Sequence, residues 1–257
     1  MSISIKNKSQ IENMRVAGKV LAEALSYITM LVKPGINCLM IDKKFGEFIN
    51  EKKCKVSFKG YGGFPNNICI SINEQLIHGI PTNRILKDGD IVSLDTGCTY
   101  NGWHADSALT IICGNSNSKY DKLVKVTQKS LYLAIKQIKP GVRLGTISNT
   151  VQEYVEGNGY YLPTDYAGHG IGSEMHEDPI ISNVGLKDTG MRLAAGMVIC
   201  IEPMVQVGTA KTRVLKDDWT VISQDKSMTA HFEHTILVTE DGYEVLTKRQ
   251  EESEEDF

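Results

Sequence analysis

Apolar or small residues recur at Ile11, Met14, Gly18, Leu21, Leu25 and Ile28, the three- and four-residue spacing of one helical face. Ser9-Gln10-Ile11-Glu12 has the form of a capping box that satisfies the first free amides of that helix. Lys33-Pro34-Gly35 ends it, since proline cannot continue a helix and glycine suits the turn that follows. A second helical pattern comes next, with Leu39, Phe45, Phe48 and Ile49 as its buried side. The plan then returns: 131–138 is helical in pattern, Lys139-Pro140-Gly141 stops it, and 144–155 supplies another helix. Between and after these pairs lie β-branched, apolar runs at 90–95, 107–113, 197–202 and 235–238, which read as strands.

The return is a repeat. KPGIN at 33–37 matches KPGVR at 139–143, and the glycine-rich GYGGFP at 60–65 sits opposite AGHGIG at 167–172. GDIVSLDTG at 89–97 sits opposite GMVICIEPM at 196–204, which sets Asp95 against Glu202, 107 positions apart. Three similarities at nearly one offset indicate two related halves, each a helix–turn–helix followed by strands. Two copies are too few for a solenoid, so the halves should close on one another around a shared core. The expectation is an α+β chain with one domain over residues 1–250, its halves spanning about 9–113 and 119–248. The acidic end, 251–257, is expected to be a solvated tail.

Composition narrows the function classes. A chain of 257 residues can hide about three quarters of its unfolded surface, enough for a large core. A net charge of −3 without a dense Lys/Arg block argues against nucleic acid as the main partner. The mildly basic stretch 211–216 reads as a solvated hairpin. No run reaches the roughly 18 apolar residues that would span a bilayer, and the N-terminus has no signal-like apolar stretch. Cys38, Cys54, Cys69, Cys98, Cys113 and Cys200 are scattered without a C-x-x-C pair, as expected of reduced core thiols in a cytoplasmic protein.

The candidate chemistry lies at the strand ends. Asp95 and Asp106 flank a hairpin at Tyr100-Asn101-Gly102, Glu202 closes the strand equivalent to that of Asp95, and Glu233 lies inside the stretch 230–236. Burying unpaired carboxylates costs several kcal/mol each, and four converging acids would raise one another's pKa unless a cation sat among them. An oxygen-rich set with one imidazole, from His169 between Gly168 and Gly170, suits Mn, Fe(II), Co(II) or Zn. Bridging carboxylates can hold two such ions and a shared hydroxide.

The segments SINEQLIHGIP (71–81), LDTGCTYNGWHADSA (94–108), AGHGIG (167–172), MHEDP (175–179), IEPM (201–204) and FEHT (232–235) occur in an order and spacing that resemble the type I methionine aminopeptidases of bacterial type, the pita-bread peptidase family M24A. The resemblance runs from about residue 3 to residue 248. It implies the pita-bread fold: two pseudo-twofold-related αβ halves around a curved antiparallel sheet, with two divalent metal ions in the central cleft. It makes Asp95 a ligand of one ion, His169 and Glu202 ligands of the other, and Asp106 and Glu233 the bridges. It gives His78 a contact to the amide of the scissile dipeptide and His176 a hydrogen bond to the scissile carbonyl oxygen, with Glu202 as proton shuttle. His104 and His234 fall close to ligands and read as supporting residues; His231 stands where the family often has glutamine, so no role is transferred to it.

The resemblance also points to Phe58, Tyr61, Phe64, Cys69, Met175 and Trp219 as an apolar pocket for methionine, with Phe58, Phe64 and Met175 departing from frequent family residues. It implies a monovalent cation near Asn73, Gln75 and Thr229. The expected reaction is removal of the initiator methionine from nascent polypeptides whose second residue is small, by hydroxide attack on the first peptide bond. A monomer in a bacterial cytoplasm, with transient contact to the ribosome, is the expected setting. The alternatives are an Xaa-Pro aminopeptidase or prolidase, which share the metal core but usually carry an added N-terminal domain, and a non-catalytic peptide-binding relative.

Overall fold

In the computed structural model, residues 3–114, 119–253 and 255–257 are described; positions 115–118, between the two expected halves, and 254, in the acidic end, lie outside the described residues. Helix α1 spans Lys8–Thr29 and buries Met14, Gly18, Leu21, Leu25 and Ile28 along the expected face. Its cap differs from the expected one. Asn7 accepts from the amide of Gln10 (3.1 Å) while the Gln10 side chain accepts from the amide of Asn7 (2.8 Å), so the reciprocal box sits two residues before Ser9. The helix also ends earlier than proline requires, at Met30, and Leu31 and Val32 continue in tighter turns bonded to the carbonyls of Ile28 and Thr29.

Helix α2 spans Cys38–Glu51 and is capped by Asn37. Phe45 and Ile49 are buried, and Phe48 stacks on Tyr27 at 5.4 Å between ring centroids. Leu39, expected on the buried side, is exposed instead, because the inward stripe runs through Cys38, Ile41, Asp42, Phe45 and Ile49 and Leu39 lies one step around the helix from it. Helix α3 spans Asp121–Ile135, ten residues longer at its start than the apolar pattern indicated. Thr127 and Ser130 occupy buried positions there and satisfy their hydroxyls on the carbonyls of Leu123 and Thr127, which dilutes the hydrophobic signal without breaking the helix. Helix α4 spans Leu144–Gly157.

The strands of the first half are β1 (Lys55–Val56), β2 (Cys69–Ile72), β3 (Gln75–Ile77), β4 (Ile91–Tyr100) and β5 (Trp103–Ile112). Those of the second are β6 (Ala167–Gly170), β7 (Glu177–Ser182), β8 (Val198–Ile201), β9 (Met204–Gln206), β10 (Thr212–Val214), β11 (Val221–Ser223), β12 (Thr229–His231), β13 (His234–Val238) and β14 (Tyr243–Val245). Every pairing is antiparallel. In the first half β4 pairs with β5 on one side and with β1 and β2 on the other; in the second the order is β14-β13-β8-β6-β7. Asn101 (φ 50°) and Gly102 (φ 80°) make the tight β4–β5 turn, the left-handed pair that matches strand twist. The stretch 211–216 contains β10, hairpinned onto β11.

The two halves join backbone to backbone. Glu233 donates its amide to the carbonyl of Ala108 (2.9 Å), and Ala108 returns a bond of 3.3 Å. Beside them Asp106 donates its amide to Thr235 Oγ1 (2.9 Å), which in turn donates to the Asp106 carbonyl (2.8 Å). The helices cover the outer faces: α1 lies on β4 and β5, and α3 on β8, β9 and β12. One apolar core runs through both halves, from Leu21 and Phe45 to Leu131, Val151 and Ile199. Among the described residues, no helix is long and apolar enough to cross a membrane.

The acidic end departs from the solvated tail expected of its composition. Glu252 is buried, accepting from Tyr132 Oη (2.7 Å), from His234 Nε2 (3.0 Å) and from the Arg249 guanidinium. A charge count over 251–257 cannot register partners supplied by Tyr132, His234 and Arg249.

Candidate active site

Strand register explains why the acids meet. Asp95 on β4 pairs with Ala108 on β5, and Ala108 bridges to Glu233 across the seam between the halves. Residues directly opposite on antiparallel strands share a face, and so do residues two apart on one strand. Asp95, Glu233 and Asp106 therefore emerge on one side of the sheet. Glu202 leaves the end of β8 beside β13, whose first residue pairs with Ile201. His169 comes from β6, which lies between β8 and β7.

The glycines around His169 have a steric cause. A Cβ on Gly168 would lie 2.3 Å from the carbonyl oxygen of Cys200, and one on Gly170 would lie 2.2 Å from that of Asp178. Only glycine lets β6 enter this slot and carry the imidazole to the acids. The ring is fixed by Nδ1–H donating to the carbonyl of Gly170 (2.9 Å). That bond leaves the Nε2 lone pair facing Glu202 Oε1 at 3.7 Å, Asp106 Oδ2 at 3.9 Å and Glu233 Oε1 at 4.0 Å.

Burial governs the charges here. It pushes the carboxyl of Asp95 up to about 7 and that of Glu202 up to about 8. Asp106 and Glu233 are also raised well above the usual carboxylate range, by burial first and by the neighbouring acids second. Burial lowers His169 to about 3, which keeps it neutral and able to donate a lone pair. Asp95 Oδ1, Asp106 Oδ1 and Glu233 Oε1 are buried with no hydrogen-bond partner among the described residues. Oxygen atoms of Asp95, Asp106 and Glu233 lie within 4.8 Å of one another. Orphaned buried acid oxygens around a neutral imidazole are the donor set of a divalent-cation site, and the chemistry of these residues fits that group. Cys200 also lies within reach of His169 and Glu233, but burial raises its thiol well above the usual range and its sulfur faces Thr235 Oγ1 at 3.5 Å, so it reads as core.

The acids form the floor of a cavity of about 140 Å³ that Phe58, Tyr61, Phe64, Cys69, Met175 and Trp219 also line. The six residues expected to form an apolar pocket thus share one cavity with the five expected ligands. Phe64 meets Phe58 and Trp219 edge to face, at 6.5 and 5.1 Å between centroids. A hollow of about 750 Å³ along α3 is lined by Lys122, Lys125 and Lys129 together with Asp121 and Asp256, and it holds none of the candidate ligands.

His78 and His176 line the same cavity. His78 holds a left-handed backbone (φ 57°) that an ordinary side chain rarely adopts, and burial lowers its imidazole to about 4, leaving it neutral. His176 is exposed at the rim, its ring 4.3 Å from that of His169. Its Nδ1 lies 2.7 Å from the hydroxyl of Tyr61, a partnership the pocket assignment of Tyr61 did not anticipate. His104 is set apart, its Nδ1 2.9 Å from Ser57 Oγ, and His234 belongs to the Glu252 cluster. Asn73, Gln75 and Thr229 also converge: Thr229 Oγ1 lies 2.7 Å from the carbonyl oxygen of Gln75 and 3.0 Å from that of Asn73.

Other residues at the site were not singled out from sequence. His231 is buried with Nε2 3.5 Å from Glu202 Oε2, and Asn183 donates to the Glu202 carbonyl at 2.9 Å. Lys6, 4% exposed, extends its ammonium to Glu177 at 2.7 Å, next to His176. Asn183 and Lys6 carry no local motif; only His231, two positions before Glu233, had a sequence signal.

Comparisons with known proteins point to one family. Residues 12–240 match the model of metallopeptidase family M24. The methionine aminopeptidase of Mycoplasma capricolum is 58% identical over 249 residues, 96% of this chain and 99% of that protein. The crystal structure of the Thermotoga maritima methionine aminopeptidase superposes with a TM-score of 0.95 at 45% identity, covering 96% of this chain and 100% of that one. The prolidase of Pyrococcus furiosus gives 0.75 at 25% identity, with 96% of this chain covered but 66% of the longer prolidase. The shared architecture is the pita-bread fold, two αβ halves around an antiparallel sheet.

Proposed function

The chain belongs to metallopeptidase family M24, and from that premise we propose that it is a metal-dependent aminopeptidase that removes the N-terminal methionine of nascent polypeptides. The observation that carries the reading is a single cavity with five candidate metal ligands on its floor and an apolar wall above them. Identity of 58% to a methionine aminopeptidase over 96% of the chain supports the substrate.

Asp95, Asp106, His169, Glu202 and Glu233 would hold two divalent cations. When bound, such cations neutralise the buried acids, polarise a carbonyl and make water acidic enough to yield a nucleophile near neutral pH. Cobalt, manganese, ferrous iron and zinc all suit the donor set. The protein's part is to bind and orient. Phe58, Phe64, Cys69, Met175 and Trp219 would take the methionine side chain, removing its apolar surface from water. His176, held through Nδ1 by Tyr61, would donate from Nε2 to the scissile carbonyl oxygen, a bond that strengthens as negative charge develops there. Neutral His78 would hold the substrate amide, and Glu202 would carry a proton toward the leaving amine.

The carbonyls of Asn73 and Gln75 beside the Thr229 hydroxyl form an oxygen-rich spot suited to a monovalent cation. A monomer acting in the cytoplasm, with transient contact to the ribosome, fits a nascent-chain substrate.

Protein reconstituted with Mn(II) or Co(II) and incubated with Met-Ala-Ser, Met-Lys-Ser and Ala-Pro-Ser tests the reading. The expected result is rapid release of methionine from the first, little from the second, and no cleavage before proline. Activity confined to the proline peptide would replace this assignment with an Xaa-Pro peptidase, and metal binding without any hydrolysis would leave a peptide-binding relative.

A further inference from the structure

We propose that His231 is a positioning residue for Glu202: an N–H at Nε2, 3.5 Å from Oε2 of that carboxylate and not yet hydrogen-bonded to it, is placed to hold that oxygen, so that Oε1 stays turned toward His169. The inference rests on the reading of Glu202 as metal ligand and proton carrier. The two oxygens of Glu202 face two imidazoles from different strands, Oε1 at 3.7 Å from His169 Nε2 and Oε2 at 3.5 Å from His231 Nε2. His169 has its other nitrogen committed to the Gly170 carbonyl, whereas neither ring nitrogen of His231 has a hydrogen-bond partner among the described residues. His231 is 1% exposed, so water cannot readily satisfy it. A buried imidazole N–H left unpaired is costly, and the adjacent carboxylate oxygen is the acceptor that relieves it.

The backbone of His231 is fixed well enough to aim the ring. Its amide donates to Thr110 Oγ1 at 2.8 Å, and that hydroxyl donates back to the His231 carbonyl at 2.8 Å. Within β12 it pairs with Met204, two residues beyond Glu202. Asn183 restrains Glu202 through its main-chain carbonyl, which leaves the carboxylate itself free to turn. The cavity lining includes Glu202 but not His231, so His231 reaches the reaction through Glu202 and not by touching substrate.

Two variants separate donor from filler. His231→Gln retains an N–H group of similar reach, whereas His231→Met keeps the bulk and removes the donor. Metal-free forms of both and of wild type are titrated with Mn(II) by calorimetry, then assayed for kcat and KM on Met-Ala-Ser, with thermal melts of the metal-free proteins alongside. The expected result is roughly 10–100-fold weaker Mn(II) binding and lower kcat in His231→Met with little change in KM, and His231→Gln within about threefold of wild type. Should His231→Met fail to fold, His231→Asn, whose amide is too short to reach, carries the same expectation. Wild-type binding and kcat in the donor-free variant would overturn the inference. So would equal losses in both variants, which would make the imidazole itself a ligand. Wild-type protein that neither binds Mn(II) nor releases methionine would instead refute the underlying reading, and this inference with it.

Discussion

Glu233 and Ala108 exchange backbone hydrogen bonds across the join between the two halves, at 2.9 and 3.3 Å. That bridge aligns Glu233 with Asp95, which pairs with Ala108 from its other side, and Asp106 follows two residues along the same strand. The acid cluster is thus built by sheet register, and its burial, with no partner among the described residues for Asp95 Oδ1, Asp106 Oδ1 and Glu233 Oε1, has consequences that can be measured.

Metal-free protein should gain stability on acidification. Asp95 and Glu202 are raised in the folded state to about 7 and about 8, well above their unfolded values. Below about pH 6.5 the histidines held neutral by burial oppose this, since they bind protons only when unfolded. Above about pH 7 the acids decide: the folded state binds more protons than the unfolded one, and stability falls as pH rises through about 8. Melting of the metal-free protein at about pH 7 and about pH 8.5 should show Tm higher at the lower pH, a stability difference on the order of 1 kcal/mol or more. Saturating Mn(II) should abolish or reverse the trend, since ligation requires the acids ionised. A flat or rising profile without metal would argue against this burial.

Tyr61→Phe removes the hydroxyl that lies 2.7 Å from His176 Nδ1 while keeping the pocket wall. kcat on Met-Ala-Ser should fall by up to about tenfold with KM nearly unchanged, the worth of one net hydrogen bond. A rise in KM alone would make Tyr61 a wall residue only.

Gly97 lies where the pocket admits no Cβ. The added atom would sit 2.7 Å from Phe58 Cε1 and 3.1 Å from Met175 Cε. Gly97→Ala should push these side chains into the cavity and raise KM for methionine peptides by roughly tenfold, the lower range of overpacking costs. Unchanged KM would show that Phe58 yields outward.

Glu252→Ala should destabilise the fold by about 3–5 kcal/mol, because it strips Arg249 of its buried counter-charge and Tyr132 and His234 of their acceptor. Although burial opposes ionisation, His234, Arg249 and Tyr132 together hold Glu252 down to about 2. The stabilisation of wild type is therefore present above the unfolded value near 4.3 and is lost as pH falls toward 2. Chemical denaturation at neutral pH measures the loss, and a change under about 1 kcal/mol would show that the cluster contributes little.

What was legible in the sequence was whatever repeats or stays local. The match of GDIVSLDTG to GMVICIEPM paired Asp95 with Glu202 before any coordinates, and Asn101-Gly102 marked its turn unaided. The cap of α1 slipped by two residues because Ser-x-x-Glu and Asn-x-x-Gln overlap there and only geometry selects between them. Leu39 fell on the wrong face because a hydrophobic residue at a helix start carries little phase information. The partners of Glu252, the aim of His231 and the hydroxyl of Tyr61 on His176 depend on side chains distant in sequence, which no local pattern encodes.

The central claim is the proposed two-ion centre, in which Glu233 would be an essential ligand, and anaerobic titration of metal-free protein with Mn(II), scored by bound metal per chain, tests it most directly. Wild type should bind two equivalents. Glu233→Ala should bind one or none with activity lost, while Cys98→Ala, a core change away from the cavity, should still bind two. A single equivalent in wild type, or two in Glu233→Ala, would contradict the account.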